Sequence, residues 1–103
     1  VRAAQRIAAL AAKGELLPAD IDESHLMEAL STRELPDVDL LIRTSGELRL
    51  SGFLPLEACY AELVFIEKLW PEFAEADLDE AMENFSGRQR RFGLTSDQLQ
   101  ASA

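Results

Sequence analysis

The sequence predicts an α/β fold that contains part of a mostly parallel central sheet flanked by helices, with two strands and about four helices. Two short apolar runs, residues 38–42 and 63–66, are bounded by polar residues, which is typical of buried parallel strands. Segments with helical periodicity lie before, between and after these runs. Two parallel strands cannot bury both faces of a sheet by themselves, so we expect the sheet in these residues to be incomplete.

The first two helices are predicted from their apolar spacing and their end signals. Residues 1–13 are rich in alanine and place their larger apolar side chains on one side, and Gly14 follows where a helix would end. Asp22 is the predicted N-cap of the second helix. Ile21 precedes this cap and Leu26 lies four residues beyond it, which is the spacing of a hydrophobic staple.

A third, short helix is predicted between the two strands. Pro55 suits the first turn of a helix, and the helical segment would run through about Tyr60. The second strand follows it, and the Trp70-Pro71 pair is predicted to end the extended chain after that strand.

The last predicted helix begins with an acidic end signal. Asp77 followed three residues later by Glu80 resembles a capping box, and apolar residues then repeat at helical spacing until Gly87. Residues 94–103 offer no face that could pack on a core, so we predict that they form a flexible tail.

Composition excludes several classes of protein. The net charge of -9 argues against nucleic-acid binding, which requires a positive surface. No apolar run approaches the roughly 20 residues needed to cross a bilayer, so we expect no membrane span. The single cysteine, Cys59, excludes an internal disulfide and predicts a reducing, cytoplasmic location. We expect Cys59 to be a small buried packing residue.

The densest mixture of basic, hydroxyl and glycine residues lies in residues 43–52, which we call the arginine loop. This loop follows the first predicted strand, and open α/β sheets bind their ligands at the carboxyl ends of strands. Arg43 and Arg49 can each hold two phosphate oxygens, and the hydroxyl of Ser51 adds a further hydrogen-bonding group. The loop therefore predicts a phosphate or diphosphate site. Salt bridges within this acidic chain are the alternative.

Glu62 is a candidate metal ligand. It lies just before the second predicted strand, and we expect its carboxylate to return to the same pocket as the arginine loop. A hard cation such as Mg²⁺ prefers carboxylate, water and phosphate oxygens, and would bridge Glu62 to a bound diphosphate. One carboxylate is not a metal site by itself, so a solvated Glu62 is the alternative.

Two stretches resemble a known family. Residues 39–73 read DLLIRTSGELRLSGFLPLEACYAELVFIEKLWPEF, and residues 88–93 read RQRRFG. The first resembles the signature region of cis-prenyltransferases of the undecaprenyl diphosphate synthase type, and the second resembles the arginine-rich ending of the same family. On this resemblance, residues 1–93 would be the C-terminal part of a single cis-prenyltransferase domain.

The resemblance implies substrates, a cofactor and residue roles. The reaction would be repeated condensation of isopentenyl diphosphate with an allylic diphosphate of the farnesyl type, giving a polyprenyl diphosphate. Because this product is a lipid, the resemblance also implies peripheral contact with a membrane. Glu62 would bind Mg²⁺. The family is homodimeric, and this implies that the C-terminal arginines act at the partner's active site. The ligands of the isopentenyl diphosphate headgroup would be Arg43, Arg49, Leu50 and Ser51. The C-terminal arginines that would act in trans are Arg88, Arg90 and Arg91.

The chain also departs from the family pattern. The Asp-Gly-Asn segment that holds the allylic diphosphate and supplies the catalytic aspartate does not occur, so no catalytic residue is assigned here and the chain alone is predicted to be inactive. Leu48 stands where some members place a histidine, Gly52 replaces an asparagine, and residues 55–57 replace an apolar-Trp-Gln run. A non-catalytic dimerisation module with the same fold is therefore the alternative to an enzyme part.

Overall fold

The computed structural model describes residues 1–102, which fall into two compact units: the first is Val1–Pro36 and the second begins at Asp37. The first unit contains two helices, and the second contains a two-stranded parallel sheet and two helices. These elements confirm the predicted α/β class, with two strands and four helices. Their bounds are α1 Arg2–Ala12, α2 Glu23–Ala29, β1 Leu40–Arg43, β2 Glu62–Phe65, α3 Glu75–Ser86 and α4 Ser96–Ser102.

Helix α1 ends at Ala12, and Gly14 lies just beyond its C-cap, Lys13, as predicted. Gly14 has a φ of 73°, a left-handed conformation that glycine adopts without steric cost. Its N–H donates to the carbonyl of Ala11 at 3.0 Å, and the Glu15 N–H donates to the carbonyl of Leu10 at 3.0 Å. This pair of bonds is a Schellman motif, and it satisfies carbonyls that the helix end would otherwise leave free.

Helix α2 begins at the predicted cap. The Asp22 carboxylate accepts from the backbone N–H of His25 at 3.2 Å and from the Ser24 hydroxyl at 2.6 Å. These hydrogen bonds, the Ser24 bond first, lower the pKa of Asp22 to about 2. The His25 Nδ1 lies 3.2 Å from the Asp22 backbone nitrogen and 2.8 Å from the Asp22 carboxylate; it accepts from the N–H when unprotonated and donates to the carboxylate when protonated. Glutamate or glutamine usually fills that position, and here histidine does.

The strands pair in parallel, with Leu40 opposite Glu62 and Arg43 opposite Phe65. We call the end where both strands begin the amino edge, and the end where both finish the carboxyl edge. The buried apolar side chains of this unit are few: Leu41 on β1, Ala58 and Ala81, at 7%, 4% and 2% exposure. Most large apolar side chains around the sheet are only partly covered within residues 1–102.

Residues 55–60 correct the sequence prediction, because they form successive turns rather than a short helix. The Ala58 N–H donates to the Leu54 carbonyl at 2.9 Å, which is one helical bond. The ladder then stops, because the Glu57 carbonyl accepts from the Val38 N–H at 3.3 Å while the Ala61 N–H turns to Ala58. A tertiary bond therefore takes the acceptor that the helix would have used.

The structure differs from the sequence predictions in three further ways, which concern the exposure of Cys59, the start of helix α3 and the last residues of the chain. Cys59 is exposed, and its neighbour Ala58 is the buried small residue, so the predicted packing role of the thiol is wrong. Asp77 is not the N-cap residue of helix α3: Ala74 is, and Asp77 lies three residues later, where its carboxylate accepts the Ala74 N–H. Residues 96–102 form helix α4, where no helix was predicted.

Candidate functional site

The arginine loop leaves the carboxyl edge of the sheet and is held there by backbone bonds. The Ser45 N–H donates to the Lys68 carbonyl at 2.8 Å, and the Gly46 N–H donates to the Ile66 carbonyl at 3.0 Å. In return the Ile66 N–H donates to the Arg43 carbonyl at 2.8 Å. Ser45 has a φ of 69°, which is uncommon for a residue with a side chain. The loop therefore turns sharply directly after β1, with its backbone fixed to the chain after β2.

Arg43 is the last residue of β1, so the strand places its side chain at the carboxyl edge. Its Nη1 donates to the Leu50 carbonyl at 3.2 Å across seven residues of the same loop, and the side chain is partly buried. One guanidinium thus closes the loop on itself. The other donors of this fork keep the capacity to bind an anion.

Arg49 and Ser51 lie further along the loop and are exposed. The Arg49 Nη1 lies 2.6 Å from the Glu47 carboxylate, so the salt-bridge alternative holds for Arg49 in this state. Because 72% of the Arg49 side chain is exposed, solvent screens this pair and the pair is weak. Ser51 has a φ of 53° and is followed by Gly52 at 78°, so Ser51 lies in a second left-handed turn of the loop. This turn is exposed to solvent.

The structure does not bring Glu62 to the arginine loop. Glu62 is the first residue of β2 and pairs with Leu40, whereas Arg43 pairs with Phe65. Three residues of strand separate the two pairs, which is roughly 10 Å along the sheet. The Glu62 carboxylate instead lies 3.3 Å from the Arg88 Nη1 at the amino edge. The expectation of one shared pocket within these residues is therefore corrected.

Residues 88–93, which we call the arginine segment, dock at the same amino edge. Arg88 donates to the Leu63 carbonyl at 2.7 Å as well as to Glu62. Arg90 donates to the Asp39 carboxylate at 2.8 Å and to the Tyr60 carbonyl at 3.2 Å. Arg91 is exposed, and no ion pair of residues 1–102 includes it.

Aromatic rings enclose the Arg90 guanidinium. Its central carbon lies 4.5 Å from the centroid of the Phe92 ring and 5.8 Å from that of Phe85, which are cation–π distances. Gly93 ends the arginine segment with a φ of 81°, and a Cβ there would lie 3.2 Å from the Tyr60 ring. Glycine is therefore favoured at this position, mainly for its backbone conformation and also because a Cβ would press on the Tyr60 ring.

A second ion pair, missed in the sequence, lies at the carboxyl edge. The Lys68 Nζ donates to the buried Asp77 carboxylate at 2.7 Å, and the other Asp77 oxygen accepts from the Ala74 N–H at 2.9 Å. The Lys68 bond and then the Ala74 bond hold the pKa of Asp77 below its usual 3.8, and the same ion pair raises the pKa of Lys68. The nine-residue spacing across a 3-10 turn carries no sequence signal.

The sequence offers one candidate metal ligand, Glu62. Among residues 1–102, no group of three or more histidine, cysteine, aspartate or glutamate side chains could hold a metal ion. Mg²⁺ commonly keeps several waters and binds through one or two carboxylates plus substrate phosphates, so Glu62 fits such a partial contact.

None of the helices in residues 1–102 has the length and apolar character that crossing a membrane requires.

Known proteins of one family match this chain over almost all of its length. The profile of the family described as "Putative undecaprenyl diphosphate synthase" matches residues 1–93. A relative from Vibrio cholerae, a ditrans,polycis-undecaprenyl-diphosphate synthase specific for (2E,6E)-farnesyl diphosphate, is 48% identical over 98% of this chain and 40% of its own length. An isoprenyl transferase from Chlorobaculum tepidum is 46% identical over 98% of this chain and 38% of its own.

Solved structures agree with the sequence comparison. Lavandulyl diphosphate synthase from Lavandula x intermedia, crystallised in complex with dimethylallyl diphosphate, superposes with a TM-score of 0.83 at 44% sequence identity. The match covers 89% of this chain and 40% of that protein. This chain thus spans about 40% of the length of the relatives that it matches.

Proposed function

The chain belongs to the undecaprenyl diphosphate synthase family, and from that membership we propose that it carries the isopentenyl diphosphate-binding part of a cis-prenyltransferase. The full-length protein would make a polyprenyl diphosphate, the precursor of a cell-wall lipid carrier, by successive condensations. Residues 1–93 would be part of one domain of that enzyme, and residues 94–103 would lie outside it.

The arginine loop is the proposed headgroup site, and the observation that carries this proposal is its placement. Arg43 leaves the carboxyl edge of a parallel sheet, where open α/β sheets bind ligands, and it already holds the loop closed through the Leu50 carbonyl. Arg49 and Ser51 are exposed in the same loop. A diphosphate of charge near -3 would displace the weak Glu47 pair and take up the Arg49 guanidinium.

The amino edge is proposed to serve the active site of a partner subunit. Glu62 and Arg88 are bonded to each other there, and Arg90 fixes the arginine segment on the same edge. If this segment reaches a partner's site in a homodimer, Glu62 accompanies it. Glu62 is the proposed Mg²⁺ ligand. In the absence of Mg²⁺, the Arg88 guanidinium is the cation that pairs with the Glu62 carboxylate. Bound Mg²⁺ would supply neutralisation of diphosphate charge.

In the proposed reaction, the residues of this chain bind and orient and do not break bonds. The allylic diphosphate loses pyrophosphate as its C–O bond breaks, and the double bond of isopentenyl diphosphate supplies the electrons of the new C–C bond. A proton then leaves to form the cis double bond. Arg43 and Arg49 would hold the headgroup so that this double bond faces the allylic carbon. The Asp-Gly-Asn segment that binds the allylic partner does not occur here, so the 103 residues alone are proposed to be inactive.

The departures from the family pattern lie at exposed or irregular positions. Leu48 is 73% exposed, Gly52 adopts a left-handed φ of 78°, and residues 55–57 lie in the turns that replace the expected helix. An asparagine would tolerate the Gly52 conformation as well, so this loop turn is compatible with both residues. We propose that these changes adjust substrate preference and leave the headgroup ligands in place. A cytoplasmic location and peripheral contact through the lipid product are proposed with the enzyme.

Substitution of Arg43 in the full-length protein tests the proposal. Arg43→Ala is expected to weaken isopentenyl diphosphate binding by about 1.5 to 3 kcal/mol for each charged hydrogen bond lost, measured by calorimetry. Arg2→Ala, which removes an exposed arginine of α1, is the matched control and should leave the affinity unchanged. Normal affinity in Arg43→Ala would refute the site and favour the non-catalytic dimerisation module.

A further inference from the structure

Lys68 contributes to two connections at once. Its backbone carbonyl accepts the Ser45 N–H at 2.8 Å, at the first turn of the arginine loop. Its side chain donates to Asp77, near the start of helix α3, at 2.7 Å. The residue therefore joins the loop to the helix, and a change in where Lys68 lies is transmitted to the Ser45 N–H.

Asp77 is the fixed end of this connection. It is the one charged residue among residues 1–102 classed as buried, at 8% exposure, and its second oxygen accepts the Ala74 N–H at 2.9 Å. The first turn of a helix also favours a negative charge. The carboxylate is thus buried and bonded to the N–H at the start of helix α3, and it offers a stationary partner for the Lys68 ammonium.

The start of the arginine loop needs such support. Ser45 and Gly46 are consecutive left-handed residues, with φ values of 69° and 67°. A serine in that conformation is disfavoured and persists where surrounding bonds fix it. Those bonds come from the carbonyls of Ile66 and Lys68, in a stretch that is exposed from Glu67 onwards.

We infer that the Lys68–Asp77 ion pair positions the arginine loop for headgroup binding, so that both are positioning residues. This inference rests on the proposed function of the loop. Without the ion pair, the Lys68 carbonyl loses its tether to α3, the Ser45 turn opens more often, and the Arg43 guanidinium spends less time in its binding position.

The test compares Lys68→Met with Lys68→Arg in the full-length protein. Lys68→Met keeps the apolar stem and leaves the Asp77 bond to Ala74 intact, so helix α3 retains its cap. We expect hydrogen exchange at the Ser45 and Gly46 amides to accelerate about two- to fivefold, and the KM for isopentenyl diphosphate to rise by a similar factor with kcat unchanged. Lys68→Arg restores a cation that can reach Asp77 and should restore both values.

The chain offers a matched control, because its other lysine, Lys13, lies at the end of α1 in the first compact unit. Lys13→Met should change neither the amide exchange nor the KM. Unchanged exchange at Ser45 and Gly46 in Lys68→Met would overturn the inference. A lower thermal midpoint with unchanged KM would also overturn it, because that result indicates a purely structural pair.

The proposed function and this inference fail in different ways. If Arg43→Ala leaves isopentenyl diphosphate affinity unchanged, the loop is not the headgroup site, and positioning for headgroup binding fails with it. If Arg43→Ala weakens binding and Lys68→Met does not, the site stands and the positioning role is refuted. The amide exchange measurement needs no substrate, so it reports on the ion pair in either case.

Discussion

The two edges of the sheet use arginine in opposite ways. At the carboxyl edge, Arg43 and Arg49 bond within their own loop, to acceptors seven and two residues away. At the amino edge, Arg88 and Arg90 bond to acceptors 26 and 51 residues away along the chain. Local bonds shape a loop and are exchanged for a ligand at little cost to the fold. Long-range bonds hold the arginine segment in place, so these arginines are structural as well as functional candidates.

This difference bears on how a dimeric enzyme would be assembled. Roughly 10 Å of strand separates Arg43 from Glu62, and the Glu62 carboxylate is bonded to Arg88 at the amino edge, so the arginine loop and Glu62 occupy separate edges of the sheet. A homodimer resolves the separation if the carboxyl edge of one subunit and the amino edge of its partner build one site. In an isologous dimer that arrangement occurs twice.

Mixed dimers test this arrangement with the largest expected effect. Arg43→Ala and Arg91→Ala subunits would each be nearly inactive as homodimers. When the two full-length variants are unfolded together, refolded and assayed, half of the dimers are mixed and each mixed dimer has one intact site. We therefore expect recovery of about a quarter of wild-type activity. Two copies of the same variant refolded together provide the control, and absence of recovery would place both edges in one subunit's site.

Arg90 should be the structural arginine of the segment, and Arg91 should not. Arg90→Met removes the bonds to Asp39 and the Tyr60 carbonyl and the contact with Phe92. We expect a loss of about 1 to 2 kcal/mol in the free energy of unfolding, measured with urea. The effect is limited because the Arg90 Nε is buried without a hydrogen-bond partner among residues 1–102, and methionine removes that unpaired donor.

Arg91→Met is the matched comparison for Arg90→Met. Because Arg91 is exposed, its removal should change stability by less than about 0.5 kcal/mol. Equal losses in the two variants would contradict the division between a structural Arg90 and an exposed Arg91.

Much of the fold could be predicted because its signals are local. Gly14 and Asp22 end and begin their helices through bonds to residues within five positions, so sequence spacing suffices. The arginine loop follows the strand that was expected to precede it. Thr95 and Gln98 exchange capping bonds at the start of α4, at 2.9 and 3.3 Å, so the local capping-box spacing in the sequence also indicates where this helix begins.

The parts that could not be predicted depend on tertiary bonds. Residues 55–60 carry a helix signal in Pro55, but the Val38 N–H takes the Glu57 carbonyl from the helical ladder. Glu62 was placed one residue before its strand, and it is in fact the first strand residue. Parallel strands begin at the same edge, so either position places Glu62 at the amino edge and away from the arginine loop, and the tertiary bond to Arg88 fixes its carboxylate there.

The smallest predicted effect concerns the acid titration of Asp77. Because the folded pKa is lowered below 3.8, the ionised carboxylate contributes stability that is fully present above 3.8 and is lost as the pH falls through the lowered value. In Lys68→Met the principal cause of the lowering is removed and the Ala74 bond remains, so the pKa should rise toward 3.8 without passing it. Carboxyl carbon shifts of Asp77 followed by NMR between pH 2 and 6 would measure both midpoints. Identical midpoints would show that the ammonium does not bind Asp77 in solution, and the arginine loop at the carboxyl edge would then lack its proposed tether to helix α3.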